Sequence, residues 1–255
     1  MKGLEIEFLG TGTSTGVPQI KCSCQVCCSD DARDKRLRSS VIVRHKGKNL
    51  LIDCGPDFRT QILNASNNNL DALLISHIHY DHVGGIDDLR AYCSPEKPFP
   101  LYARQDVVNA LKAHMPYCFS DSPYPGVPSF DITVIDNKAF LVGEVEILPL
   151  EVMHANLPIL GFKIANMAYI TDASYISSKT MQQLHNLDLL VINALRTEPH
   201  HSHFSLEETL TIIRKLTPQR AILTHMSHGI GLHEKVNKKL PQNVELAHDG
   251  LIVSI

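Results

Sequence analysis

Apolar residues fall along this chain mostly in short blocks of strand length, and many blocks end on a histidine or an aspartate. The first block, Leu4 to Leu9, mixes apolar positions with Glu5 and Glu7 and reads as a strand. Ser40–His45 and Asn49–Asp53 read as a hairpin around Lys46-Gly47-Lys48. The runs 70–76, 187–195 and 221–225 are almost wholly apolar, as suits buried strands. Strand-like segments also lie at 99–103, 132–135 and 145–150, and His154 ends a strand. Residues 160–164 and 167–172 form another hairpin, and 243–255 supplies a closing strand pair. Helices are predicted over 56–65, with Pro56 near the first turn, over 86–92 and over 105–114. A further helix starts after Ser205, where Ser205-Leu206-Glu207-Glu208 matches a capping box. Residues 115–130, rich in Pro, Ser and Tyr, form a long loop and a candidate lid. Neither a linker nor an internal repeat interrupts the pattern, so 1–255 is expected to be a single domain.

The chemistry sits where apolar blocks stop. His77-Ile78-His79-Tyr80-Asp81-His82 packs three imidazoles and a carboxylate into six residues, on a loop between a buried strand and a helix. Imidazole and carboxylate bind zinc, manganese or iron. A single ion does not need so many ligands so close together, so a pair of ions is the natural reading. Chance histidines on a polar loop are the bland alternative. Asp172 closes an apolar strand, where an aspartate usually caps a helix; here Ser174 or Ser177 can take the cap. His203 stands just before the capped helix, whose N–H groups and dipole favour an anion such as a phosphate. Its neighbours His200 and His201 are expected to face solvent. His225 ends a strand and His228 follows three residues later. Cys22, Cys24 and Cys27 make a plausible three-thiolate claw for zinc, with Cys28 too close to Cys27 to serve as a fourth ligand. Small buried cysteines, or an iron–sulfur cluster, are the other readings of that stretch.

Composition narrows the class. The chain has 255 residues, 44% of them hydrophobic, which suffices for a large core. A formal net charge of −3 gives no basic footprint for nucleic acid or anionic membranes. No apolar run approaches the ~20 residues of a membrane helix. The N-terminal segment alternates like a strand and has no signal-peptide core, so the expected location is the cytoplasm. The seven cysteines, four of them crowded between 22 and 28, favour metal over disulfides and a reducing compartment.

His77 to His82 resembles the metal-binding signature of the metallo-β-lactamase-fold hydrolases. That resemblance implies an α/β chain folded as an α/β/β/α sandwich with a dinuclear site on one edge. It implies that one ion takes His77, His79 and His154, and the other Asp81, His82 and His225, with Asp172 bridging. Asp53-Cys54-Gly55 looks like the family's Asp-x-Gly element, whose aspartate supports the metal loop. Within the family the chain resembles the PhnP-type phosphodiesterases, which open a cyclic phosphate on ribose. Two features carry this: the claw Cys22, Cys24 and Cys27 with His228, implying a structural zinc, and His203 before a capped helix. By this resemblance the catalytic residues are His203, as general acid, and Asp81. The implied reaction is hydrolysis of a small phosphodiester by metal-bound hydroxide, with two zinc or manganese ions as cofactors. The expected partner is that substrate rather than a membrane or nucleic acid, and a homodimer stays open. The rivals are a tRNA 3′-processing endonuclease, a PqqB-like cofactor-biosynthesis protein and a non-catalytic metal-binding module.

Overall fold

A computed structural model describes residues 3–94, 96–119 and 126–255. One sheet is built from β1 (Glu5–Gly10), β2 (Ser40–His45), β3 (Lys48–Ile52), β4 (Ala72–Leu74), β5 (Phe99–Ala103) and β6 (Phe130–Val134). The chain then crosses to a second sheet of β7 (Phe140–Val142), β8 (Val145–His154), β9 (Leu157–Ile164), β10 (Met167–Ile170), β11 (Leu189–Asn193), β12 (Arg220–Thr224) and β13 (Val244–Leu246). It returns for β14 (Ile252–Ser254), which lies beside β1. The orders are β14-β1-β2-β3-β4-β5-β6 and β13-β12-β11-β10-β9-β8-β7. Both sheets are mixed, with parallel pairing from β3 to β6 and from β10 to β13.

The sequence pattern explains the layers. Successive strand residues face opposite ways, so a strand covered on both faces is apolar throughout. Ile6, Phe8, Val41, Val43, Leu50 and Ile52 fill the space between the sheets with Ile147, Phe162 and Tyr169. The alternate positions Ile42, Leu51, Leu73 and Leu101 pack outward with Phe58 and Ile62 of α1 (Phe58–Asn64). Val107, Val108 and Leu111 join them there from a later helix spanning Gln105–His114. Phe8 is fully buried, so its truncation to alanine would cost about 3–5 kcal/mol.

This topology gathers strand ends. Two antiparallel steps separate β8 from β10, so both run the same way and deliver His154 and Asp172 to one edge. β12 runs parallel to β11 and β11 to β10, which brings His225 to the same edge.

Three expectations need correction. The helix after the histidine motif begins inside it, as α2 (Tyr80–Val83), and Ile86–Tyr92 is a tighter 3-10 turn. The pair expected over 243–255 is split: β13 joins β12, whereas β14 joins β1 in the other sheet. Partner choice between strands is non-local, and the local pattern carries no trace of it. The three-residue β7 was not foreseen, being too short to show a period. Helix α3 (Gln105–His114) falls as expected. α4 (Ser178–Gln183) is capped by Ser177, which frees Asp172 from that role. The candidate lid shows one 3-10 turn, Pro116–Phe119, and residues 120–125 of it lie outside the described residues. Among the described residues, no helix is long and apolar enough to cross a membrane.

Candidate metal centres

Asp53 organises the first half of the site. It follows β3 with φ +61°, a left-handed backbone that only small polar residues and glycine adopt readily. Its Oδ1 accepts the Ser76 N–H at 2.8 Å, and its Oδ2 accepts the Ser76 hydroxyl and His82 Nδ1–H, both at 2.7 Å. The Ser76 proton is thus committed, so Ser76 Oγ accepts from His77 Nδ1–H at 2.9 Å. With Nδ1 engaged in this way, each ring turns its Nε2 towards the cluster, where a cation can take it. Gly55 is required for close approach: a Cβ there would stand 2.1 Å from the Asp81 carbonyl oxygen. The Cys54 N–H donates to the His82 carbonyl at 2.7 Å, clamping the motif onto this turn.

The second sheet supplies the rest. His154 donates Nδ1–H to the carbonyls of Asp172 and Ser202, at 2.9 and 2.8 Å, which again leaves Nε2 free. His77, His79 and His154 bring one ligand atom each within 4.8 Å of one another, and so do Asp81, His82, Asp172 and His225. Asp172 lies between the groups. Its Oδ1 is 3.3 Å from His82 Nε2 and 3.1 Å from His225 Nδ1; its Oδ2 is 3.2 Å from His203 Nε2 and 4.0 Å from His77 Nε2. His203 belongs to neither of these groups but makes a further one with His154 and Asp172, and its ring stacks on that of His225 at 5.1 Å.

The electrostatics fit divalent cations. Burial pushes His77 well below the usual imidazole range and His225 down to about 4, so both rings are neutral. Burial also opposes a charge on His82, yet Asp172, Asp81 and Asp53 together raise its pKa well above normal. Asp172 is held well below the carboxylate range, against the effect of burial, by the His225 and His82 rings. His82 Nε2 is buried and faces Asp81 Oδ2 at 3.1 Å and Asp172 Oδ1 at 3.3 Å without a hydrogen bond to either. A nitrogen aimed at two carboxylates calls for a positive charge between them, and this donor set suits zinc or manganese.

The cysteine claw also closes. Nδ1 of His228 is 3.2 Å from Cys22 Sγ and 3.4 Å from the sulfurs of both Cys24 and Cys27. The Cys27 N–H, directed at Cys24 Sγ, lowers that thiol to about 6, whereas burial pushes Cys27 up to about 11. Three thiols and one imidazole lie within 4.8 Å of one another, a donor set of the kind that suits a structural zinc. Cys28 is exposed and stands apart from it.

The expected anion dock at the helix after His203 is not available. In α5 (Leu206–Leu216) the Leu206 N–H donates to the Arg196 carbonyl, and Ser205 and Glu208 cap each other reciprocally. The helix start is self-satisfied and carries Glu207 and Glu208.

Sequence reasoning passed over several supports. Ser39 Oγ stands 3.1 Å from His225 Nδ1, and Thr13 Oγ1 3.2 Å from His225 Nε2. Asn193 holds the Asp172 turn through both backbone groups of Ala173, at 2.8 and 2.9 Å. A lone Asn in the apolar run 187–195 was a readable signal; single Ser and Thr residues were not. His201 is exposed as expected, but His200 is half-buried against His203.

A histidine–aspartate cluster on one edge of a two-sheet sandwich is the arrangement of the metallo-β-lactamase fold. Residues 48–226 match the family described as Beta-lactamase superfamily domain, and the chain belongs to that superfamily. More particularly, it is 37% identical to a diphosphatase of the PhnP family known from a crystal structure, with a TM-score of 0.92 over 99% of this chain and 97% of that one. Zinc-bound PqqB from Methylobacterium extorquens shares the fold at 20% identity and a TM-score of 0.79, covering 98% of this chain and 100% of that one. Short-form human tRNase Z does so at 19% and 0.72, covering 98% and 99%. An octanoyltransferase from Porphyromonas gingivalis is 42% identical over 247 residues, 96% of this chain, and this chain spans only 50% of that protein's length.

Proposed function

We propose that this chain is a dinuclear metal-dependent phosphodiesterase, acting on a small cyclic phosphodiester such as a ribose cyclic phosphate or a cyclic nucleotide. The observation that carries this reading is the carboxylate of Asp172, whose two oxygens face two ligand sets, while His203 stands within ligand distance of Asp172 and His154 but in neither set. His77, His79 and His154 would hold one ion, Asp81, His82 and His225 the other, and Asp172 both. Cys22, Cys24, Cys27 and His228 would hold a structural zinc. When bound, the active-site ions supply Lewis acidity towards the phosphoryl oxygens and lower the pKa of water.

The chain's own residues do the rest. Asp53 and Ser76 fix the tautomers of His82 and His77, and the carbonyls of Asp172 and Ser202 fix that of His154. Opening a cyclic diester expels an alkoxide, which needs a proton or a hydrogen-bond donor. Nε2 of His203, directed into the cluster, is that donor. Imidazole suits the task because its pKa lies near working pH. A net charge of −3 favours a small substrate over a nucleic-acid chain.

A second reading is hydrolysis of a diphosphate linkage. It is favoured by the 37% identity to a PhnP-family diphosphatase. The octanoyltransferase name belongs to a protein that this chain matches over half its length, and it gives this chain no role in acyl transfer. Screening the metal-loaded protein separates the readings. Turnover of bis-p-nitrophenyl phosphate, ribose cyclic phosphates or 2′,3′-cyclic nucleotides supports the first. Turnover of a nucleoside diphosphate ester alone supports the second. Turnover of neither class overturns both.

A further inference from the structure

His203 is directed into the site by one nitrogen, so whatever holds the other nitrogen aims it. Two atoms face Nδ1 of His203: Ser202 Oγ at 2.9 Å and Nδ1 of His200 at 3.3 Å. His200 Nδ1 in turn lies 3.1 Å from Ser202 Oγ and receives the Ser202 backbone N–H at 3.4 Å. A backbone N–H can only donate, so His200 presents a lone pair on that side. The three groups form a closed triangle behind the His203 ring. On its other side, Nε2 is 3.2 Å from Asp172 Oδ2. The loop is pinned by backbone bonds as well: Phe204 N–H donates to the Ala173 carbonyl at 2.8 Å, and Leu195 N–H to the Phe204 carbonyl at 3.0 Å. These bonds place the His203 Cα but leave its ring free to turn about its side-chain torsions. Among the described residues, His200 belongs to none of the metal-ligand groups.

We propose that His200, acting with Ser202, is a positioning residue: its Nδ1 accepts at Nδ1 of His203 and so keeps Nε2 of that ring turned towards the leaving oxygen. The role rests on the phosphodiesterase reading for its kinetic consequence, but the contact itself does not. A side chain bonding from behind acts in the way a triad's third member orients its imidazole. Without it the ring samples other rotamers, and the donor is in place for only a fraction of the time.

The test uses the full-length, zinc-loaded protein and the variants His200→Ala and His200→Asn. The Asn Oδ1 can occupy the position of the imidazole Nδ1 and accept the same two bonds. His200→Ala is expected to keep its metal content and its KM within about twofold, and to lose roughly tenfold in kcat on a cyclic or alkyl phosphodiester. The loss should shrink on bis-p-nitrophenyl phosphate, whose leaving group needs little protonation. His200→Asn should recover most of the lost kcat. Independently of any substrate, long-range ¹H–¹⁵N NMR of the imidazoles should show the Nδ1 resonance of His203 displaced in His200→Ala and restored in His200→Asn. An unchanged His203 resonance in His200→Ala overturns the contact. A displaced resonance with unaltered kcat on the alkyl ester overturns the positioning role. If the parent protein turns over no phosphodiester, the functional reading fails, whereas the resonance still decides the contact.

Discussion

At the scale of single residues, the proposed function divides groups that would hold cations from one group that would move a proton. Asp81 is buried, and His82 draws its pKa well below the carboxylate range despite that burial. Asp81→Ala should lose one active-site ion and several orders of magnitude in activity while the fold survives. Metal analysis beside kcat checks both. His203→Ala should keep every ion and lose about 10²–10⁴-fold in kcat on an unactivated ester, with a smaller loss on a p-nitrophenyl ester. An equal loss on both esters would mean that His203 positions the phosphate instead of protonating the leaving group. The candidate ligands were legible in the sequence because His154, Asp172 and His225 each close an apolar run and His77 to His82 crowd four donors into six residues. The hydroxyls of Ser39, Ser76 and Thr13 were not, because a single Ser or Thr has no period or spacing to mark it.

At the scale of elements, the claw turn and the segment after β12 stabilise each other. Three sulfurs of residues 22–27 face the His228 ring, and a second tie lies nearby: Arg36 donates to His233 Nδ1 at 3.2 Å, and the His233 N–H to Asp34 at 2.7 Å. Cys24→Ser should release one zinc and lower Tm by roughly 5–10 °C, given about 2–4 °C per kcal/mol for a chain of this size. Unaltered Tm and zinc content would remove the claw from the account. His233 adds a pH dependence. Burial first, then Arg36 and Arg33, push its pKa down to about 4. The unfolded chain therefore takes up a proton near pH 6.5 that the folded protein refuses until about pH 4. This stability is fully present above pH 6.5 and is lost as pH falls to about 4, by up to about 3 kcal/mol. Denaturation of His233→Asn over that window should show a shallower slope than the parent; identical slopes would assign the acid sensitivity elsewhere. The capping box of α5 was legible because it is written in four consecutive residues. The partner of β14 was not, because β1 lies at the other end of the chain.

At the scale of the whole molecule, each sheet contributes about half of the candidate ligands. His77, His79, Asp81 and His82 follow β4, whereas His154 ends β8, and Asp172 and His225 follow β10 and β12. Bound ions would therefore join the two layers along the edge where the core ends. Chelation should lower the thermal transition, since a ligand at a thousandfold excess over its Kd adds about 4 kcal/mol to the folded state. Coincident melts with and without chelator would show that the sheets do not depend on that join. The strands were legible because buried strands leave uninterrupted apolar runs, whereas the sandwich was implied by the resemblance of His77 to His82. The pairing order was not legible, since neighbours within a sheet are set by contacts across the chain.

Asp53, Asp172 and His225 share one feature: each turns off its strand with a positive φ, at 61°, 56° and 55°. Such a backbone costs a residue other than glycine roughly 1–3 kcal/mol, and the buried Asp172 adds the desolvation of its charge. At Asp172 and His225 a bound cation would offset that cost, and Asp53 carries it for the ring it holds. A laboratory population evolved for heat resistance alone, grown without metal and with no demand for turnover, should therefore discard these residues early, with glycine or asparagine replacing them. Sequencing the survivors would test this; retention of all three would show that they stabilise the apoprotein in their own right. A lineage released from its substrate would decay from the same three corners, keeping the sandwich long after losing the reaction.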